Sequence, residues 1–76
     1  MKEAVEKIIT ALVSDKEAVE VSETVHDKSS VIQVRVAADD MGRIIGREGR
    51  TIKAVRSLLF HAGQKQHKRF VLELAE

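Results

Sequence analysis

The sequence contains no cysteine, no tryptophan and no tyrosine, and only two phenylalanines. Without cysteine there is no thiol nucleophile, no disulfide frame and no cysteine-rich zinc site. The near-absence of aromatic rings removes most surfaces on which a flat ligand could stack. No uncharged apolar stretch approaches the roughly 18 residues of a membrane span, and Met1–Glu6 carries early acids rather than the apolar core of a signal peptide. The expectation is a soluble cytoplasmic domain with no membrane association. At 76 residues there is room for one domain, 1–76. A chain of that size buries only about 60% of its unfolded surface, so its core must be economical.

Charge of one sign is lacking too, for the chain as a whole carries +1. That total hides an asymmetry. Residues 1–40 hold five Lys plus Arg against nine Asp plus Glu, whereas residues 41–76 hold eight against three. Most of the excess lies in Arg43, Arg47, Arg50, Lys53 and Arg56, with Glu48 as the sole acid among them.

Apolar periodicity outlines the elements. Ala4, Val5, Ile8, Ile9 and Leu12 recur at helical spacing between Lys2 and Ser14. From Ala18 to His26 the pattern alternates, with Val19, Val21 and Val25 on one face and Glu20, Ser22 and Thr24 on the other. Glu23 falls in phase with the valines, which requires either a bulge or a strand end that outruns its covering helix. The polar run His26–Ser30 reads as a hairpin turn, after which Ile32, Val34 and Val36 point inward. Asp39 and Asp40 offer a cap for a short helix from Met41 to Ile45. Gly46-Arg47-Glu48-Gly49 interrupts it. Ile52, Val55, Leu58, Leu59 and Ala62 then trace a helix ending at Gly63, a candidate C-terminal cap, and Phe70, Leu72 and Leu74 form a last strand. A hairpin followed by a crossover predicts an α+β fold of order α-β-β-α-α-β. Its mixed three-stranded sheet is covered on one face by helices.

On a helical projection at about 100° per residue, Arg50, Lys53 and Arg56 centre on the side opposite the Ile52, Val55, Leu59 stripe. Such a face is ordinarily just solvated. Here it adjoins a glycine turn and the amino end of a helix, both of which favour anions. Without β-carbons, Gly46 and Gly49 permit unusual dihedrals and close approach of a sugar-phosphate chain to the backbone.

The segment Ile44-Ile45-Gly46-Arg47-Glu48-Gly49-Arg50-Thr51-Ile52-Lys53 resembles the KH-domain signature of two aliphatics, G-x-x-G, two residues and Ile. The element order resembles the type II KH fold. Val36–Arg43 before the motif and Lys53–Arg56 after it are similar to the small bacterial proteins that consist of one such domain. That resemblance covers essentially the whole chain and implies non-catalytic binding of single-stranded RNA, in the role of an RNA chaperone or post-transcriptional regulator. RNA would lie between the Met41–Ile45 helix with its Gly46–Gly49 loop and the edge of strand two, about four nucleotides being clamped over an aliphatic floor. Gly46 and Gly49 would admit the backbone, Arg47 would contact a phosphate, and Arg43, Arg50 and Lys53 would supply the surrounding field. Ile44, Ile45 and Ile52 could be floor or core, with core expected for Ile45 and Ile52. Two positions depart from the family pattern: Glu48 stands where a basic or neutral residue is common, and Ala38 where proline is. Glu48 either weakens phosphate affinity or points outward.

Three or four neutralised phosphates would give a salt slope of roughly −2 to −3 on single strands, a modest affinity. A second copy would raise it by avidity. The resemblance implies such partners: self-association as a homodimer, and pairing with a larger Jag-type KH protein. Phe60 projects near the basic face and away from the main stripe, which either hints at such a contact or reflects packing under the last strand or a loop. The alternative to RNA binding is a KH scaffold that works as a dimerisation module with a vestigial groove.

Other chemistries lack their residues. No Lys-Ser or Lys-Thr pair follows the glycines, and G-x-G-x-x-G is absent, so neither a P-loop nor a dinucleotide site is expected. His26, His61 and His67 share no ligand spacing. No nucleophile has a credible base. The expectation is no catalytic residue, no metal and no cofactor.

Overall fold

The structure, a computed structural model, describes residues 1–75. Helix α1 (Lys2–Leu12) leads through a short 3-10 turn to β1 (Glu20–Val25) and β2 (Ser29–Arg35). Helix α2 (Met41–Ile45) and α3 (Arg50–Gln66) follow, with a 3-10 turn at Arg47–Gly49 between them, and β3 (Arg69–Ala75) completes the chain. The expected α+β, type II KH-like order is observed. β1 and β2 are antiparallel, β2 and β3 parallel, and the strands stand in the order β1-β2-β3.

The period-two pattern explains the sheet. Val21, Ile32, Val34, Leu72 and Leu74 share one face through the pairs Val21↔Val34, Ile32↔Leu72 and Val34↔Leu74. That face meets Val5 and Ile9 of α1, Ile44 of α2 and Ile52, Val55 and Leu59 of α3, all buried. Each such side chain contributes about 1.5–3 kcal/mol by leaving water. On the opposite face Gln33, Arg35 and Glu73 remain exposed, with Gln33 donating to Glu73 at 3.3 Å.

Glu23 pairs regularly with Ile32, so there is no bulge. The strand end outruns its cover instead, leaving Val25 64% exposed. Leu58, expected in the core stripe, is 61% exposed. At about 100° per residue it sits a quarter-turn from Leu59, outside the apolar arc.

Two expectations about helix ends are corrected. Gly63 does not cap α3, which continues to Gln66; the left-handed residue is His67, with φ 54. His67 N–H donates to Gln64 C=O at 3.4 Å and Lys68 N–H to Gly63 C=O at 2.8 Å, the paired bonds of a Schellman ending. Gly63 is glycine for a tertiary reason, since a β-carbon there would collide with the Lys68 carbonyl oxygen. Nor does Asp40 cap its own helix. The residue is 2% exposed, and its carboxylate accepts the N–H groups of Ser14 and Asp15, each at 3.0 Å, where the chain leaves α1. Those bonds hold its carboxyl below the usual range, against the opposing effect of burial, with Arg43 adding to the shift.

Candidate nucleic-acid interface

The fold brings the expected site residues together at one end of the molecule. α2 ends at Ile45, and Gly46 reverses the chain with φ 77 and ψ 171, a conformation confined to glycine. A β-carbon at Gly46 would also collide with the Thr51 hydroxyl oxygen. Gly49 has φ 76 and ψ 15, and its N–H donates to Gly46 C=O at 3.1 Å, closing the turn. Glu48 is left-handed too, with φ 56 and ψ 26. Three of the four loop residues thus lie at positive φ, which lets α2 and α3 join through a turn of this length.

This geometry leaves the loop backbone open to an anion. Gly49 stands at the start of the 17-residue α3 without a side-chain cap, and no acid occupies the first turn. The positive end of the helix dipole therefore faces solvent beside the loop. Arg47, Arg50 and Lys53 are exposed around it, and none forms an ion pair among the described residues. Lys53 folds back toward the turn, its Cε 3.7 Å from where a β-carbon on Gly49 would sit. Arg43, exposed on α2, is partly engaged, with its Nε 3.5 Å from Asp40 Oδ1. Glu48 is exposed and unpaired among the described residues, so its negative charge is not neutralised by Arg47 or Arg50.

Ile44 is fully buried and Ile52 6% exposed, both core residues. Ile45, expected in the core, is instead 39% exposed at the end of α2. It forms an apolar shelf beside the loop. Sequence reasoning also passed over Gly42, which is exposed with open space on the side where a β-carbon would stand. The motif's aliphatic pair was the available signal for Ile45; nothing local marked Gly42. The other expected wall of the groove needs correction. β2 is hydrogen-bonded on both sides and has no free edge; the sheet's edges are β1 and β3.

Among the described residues no group of three or more His, Asp or Glu side chains is placed to hold a metal ion. No helix among them is long and apolar enough to cross a membrane.

The model of the KhpA/KhpB KH domain matches residues 2–74. Several bacterial relatives are similar over nearly their entire length. The RNA-binding protein KhpA of Halalkalibacterium halodurans is 43% identical over 76 residues, covering 100% of both chains. Its namesake in Caldanaerobacter subterraneus subsp. tengcongensis is 42% identical over 74 residues, and that in Clostridium acetobutylicum 39% over 74, each covering 97% of this chain and 99% of the relative.

Proposed function

The chain belongs to the KhpA/KhpB KH-domain family, and from that premise we propose that it binds single-stranded RNA through the Gly46–Gly49 loop without catalysing a reaction. The observation that carries the reading is the loop itself: two glycines at positive φ expose backbone at the uncapped start of α3, ringed by Arg47, Arg50 and Lys53. Phosphates fit this arrangement, since each cation is unpaired among the described residues and the backbone can be approached closely. Ile45 and the open side of Gly42 supply an aliphatic surface on which bases can rest. The curated relatives named for RNA binding support the same ligand.

With few cations and no stacking ring at the loop, a single copy binds weakly and without strong base preference, which suits a cytoplasmic RNA chaperone or post-transcriptional regulator. Avidity then matters. Leu58, 61% exposed and on the opposite flank of α3 from Phe60, supports association with a second copy or with a larger Jag-type KH protein. The domain spans 1–76 in this reading. Crosslinking of the protein to RNA in cells tests it, with an Arg47→Asp, Glu48→Asp variant as control. RNA recovery should collapse while the variant stays folded and associated; undiminished recovery would leave a protein-association module whose groove is vestigial.

A further inference from the structure

The scarcity of aromatic rings argues against base stacking, yet both phenylalanines line the same groove. Between α3 and β3 runs an open channel of about 1060 Å³ lined by Phe60, Phe70, Arg56, Lys68, Arg69 and Lys28, among others. No carboxylate among the described residues lines it. None of its four Lys and Arg side chains forms an ion pair among the described residues. Phe60 is 60% exposed, an unusual position for a large apolar ring, and the ring of His61 meets it edge-on with centroids 5.7 Å apart. Phe70 is half-buried with the Lys68 ammonium 5.8 Å from its ring centroid. Gly63 keeps the floor clear, since a β-carbon there would stand 3.4 Å from Phe70 Cδ2.

Helical spacing connects the channel to the loop. Lys53, Arg56 and Phe60 follow at intervals of three and four residues, so they form one ridge along α3. At 1.5 Å per residue, Phe60 lies about 10 Å further along the helix than Lys53. That is about three nucleotides of stacked strand at 3.4 Å each. A strand held at Gly46–Gly49 could follow this ridge with its phosphates on Lys53 and Arg56.

We infer that the α3–β3 groove is a second subsite for single-stranded RNA, in which Phe60 stacks on a base and Arg56, Lys68 and Arg69 carry the flanking phosphates. This rests on the RNA-binding reading above and extends it beyond the four nucleotides of the loop. The exposed ring, the unpaired cations and the absence of acid match the two elements of single-strand binding surfaces, stacking platforms and an electropositive track.

The test compares four- and eight-nucleotide oligouridylates. Phe60→Ala should weaken the eight-mer by at least about five-fold, the lower end for one stacked base, and leave the four-mer within about two-fold. Because the chain has no tryptophan or tyrosine, Phe60→Trp provides a lone fluorophore, which the eight-mer should quench and the four-mer should not. Unchanged eight-mer affinity in Phe60→Ala, with normal thermal melting, would overturn the subsite. So would a change in self-association without a change in RNA affinity, which would mark a protein surface. If the Arg47→Asp, Glu48→Asp variant keeps eight-mer binding while Phe60→Ala loses it, the groove stands and the loop reading fails. The reverse pattern retains the loop and overturns the groove.

Discussion

Replacing Arg47 and Glu48 together by aspartate takes the loop from neutral to doubly negative with little demand on its conformation. Glu48 occupies φ 56 and ψ 26, a region that aspartate tolerates better than most residues. Both positions are exposed, so the folded state should lose no more than about 0.5 kcal/mol. Four cations surround the site, but Arg43 is engaged with Asp40 at 3.5 Å, which leaves Arg47, Arg50 and Lys53 to meet phosphates. Three contacts on a single strand give a salt slope of about −2. Arg47→Asp removes one cation and adds one anion, so about one effective contact survives and the slope falls to about −0.7. At about 0.1 M salt the difference corresponds to roughly 25-fold in affinity, or about 1.9 kcal/mol. Fluorescence anisotropy with a labelled oligouridylate, titrated from about 50 to 400 mM KCl, reads both quantities. A folded variant with the wild-type slope and an affinity within about three-fold would refute the assignment of phosphate to this loop.

Three further predictions concern the scaffold. Gly63→Ala should gain about 1 kcal/mol of helix propensity yet lose more by driving its β-carbon against the Lys68 carbonyl. A net loss of about 1–2 kcal/mol would lower Tm by roughly 5–15 °C by calorimetry, and an unchanged or higher Tm would contradict the packing argument. Asp40→Asn leaves one of the Ser14 and Asp15 N–H groups without its acceptor and should lower Tm at neutral pH. The Asp40 pKa is depressed from 3.8 in the folded state, so its stabilisation is present above that value and lost as pH falls through the lower one. Melting curves between about pH 7 and pH 2 should therefore converge for the two proteins in acid, and parallel curves would count against the bonds. Ser30 is fully buried with a hydroxyl that has no partner, so Ser30→Ala should stabilise by about 1 kcal/mol in denaturant unfolding; destabilisation would show that the hydroxyl is satisfied.

What could be read in the sequence was whatever depends on neighbours along the chain. Alternation marked the strands, three- and four-residue spacing marked α1 and α3, and two glycines in four residues marked the reversal between α2 and α3. Pairing followed as well, because a hairpin and a crossover leave few arrangements for three strands. The misreadings arise where the pattern within an element does not decide. Gly63 looks like a cap because it precedes a polar stretch, but its lack of a side chain answers to a carbonyl beyond the helix end. Asp40 looks like an N-cap, but its partners lie 25 and 26 residues earlier. Ile45 ends a five-residue helix, too short for periodicity to assign a face. The basic loop was legible from local charge and glycine spacing. The channel holding Phe60 and Phe70 was not, since only the docking of β3 beside α3 brings the two rings to one groove.

The most direct test of the central claim is a titration of the isotopically labelled protein with a single-stranded oligonucleotide, followed through its backbone amide resonances. The account predicts that the largest shifts fall on Gly42, on Gly46 through Arg50, and on Lys53, at sub-stoichiometric through saturating RNA. Shifts concentrated on α1 and β1, with the Gly46–Gly49 amides unmoved at saturation, would contradict it.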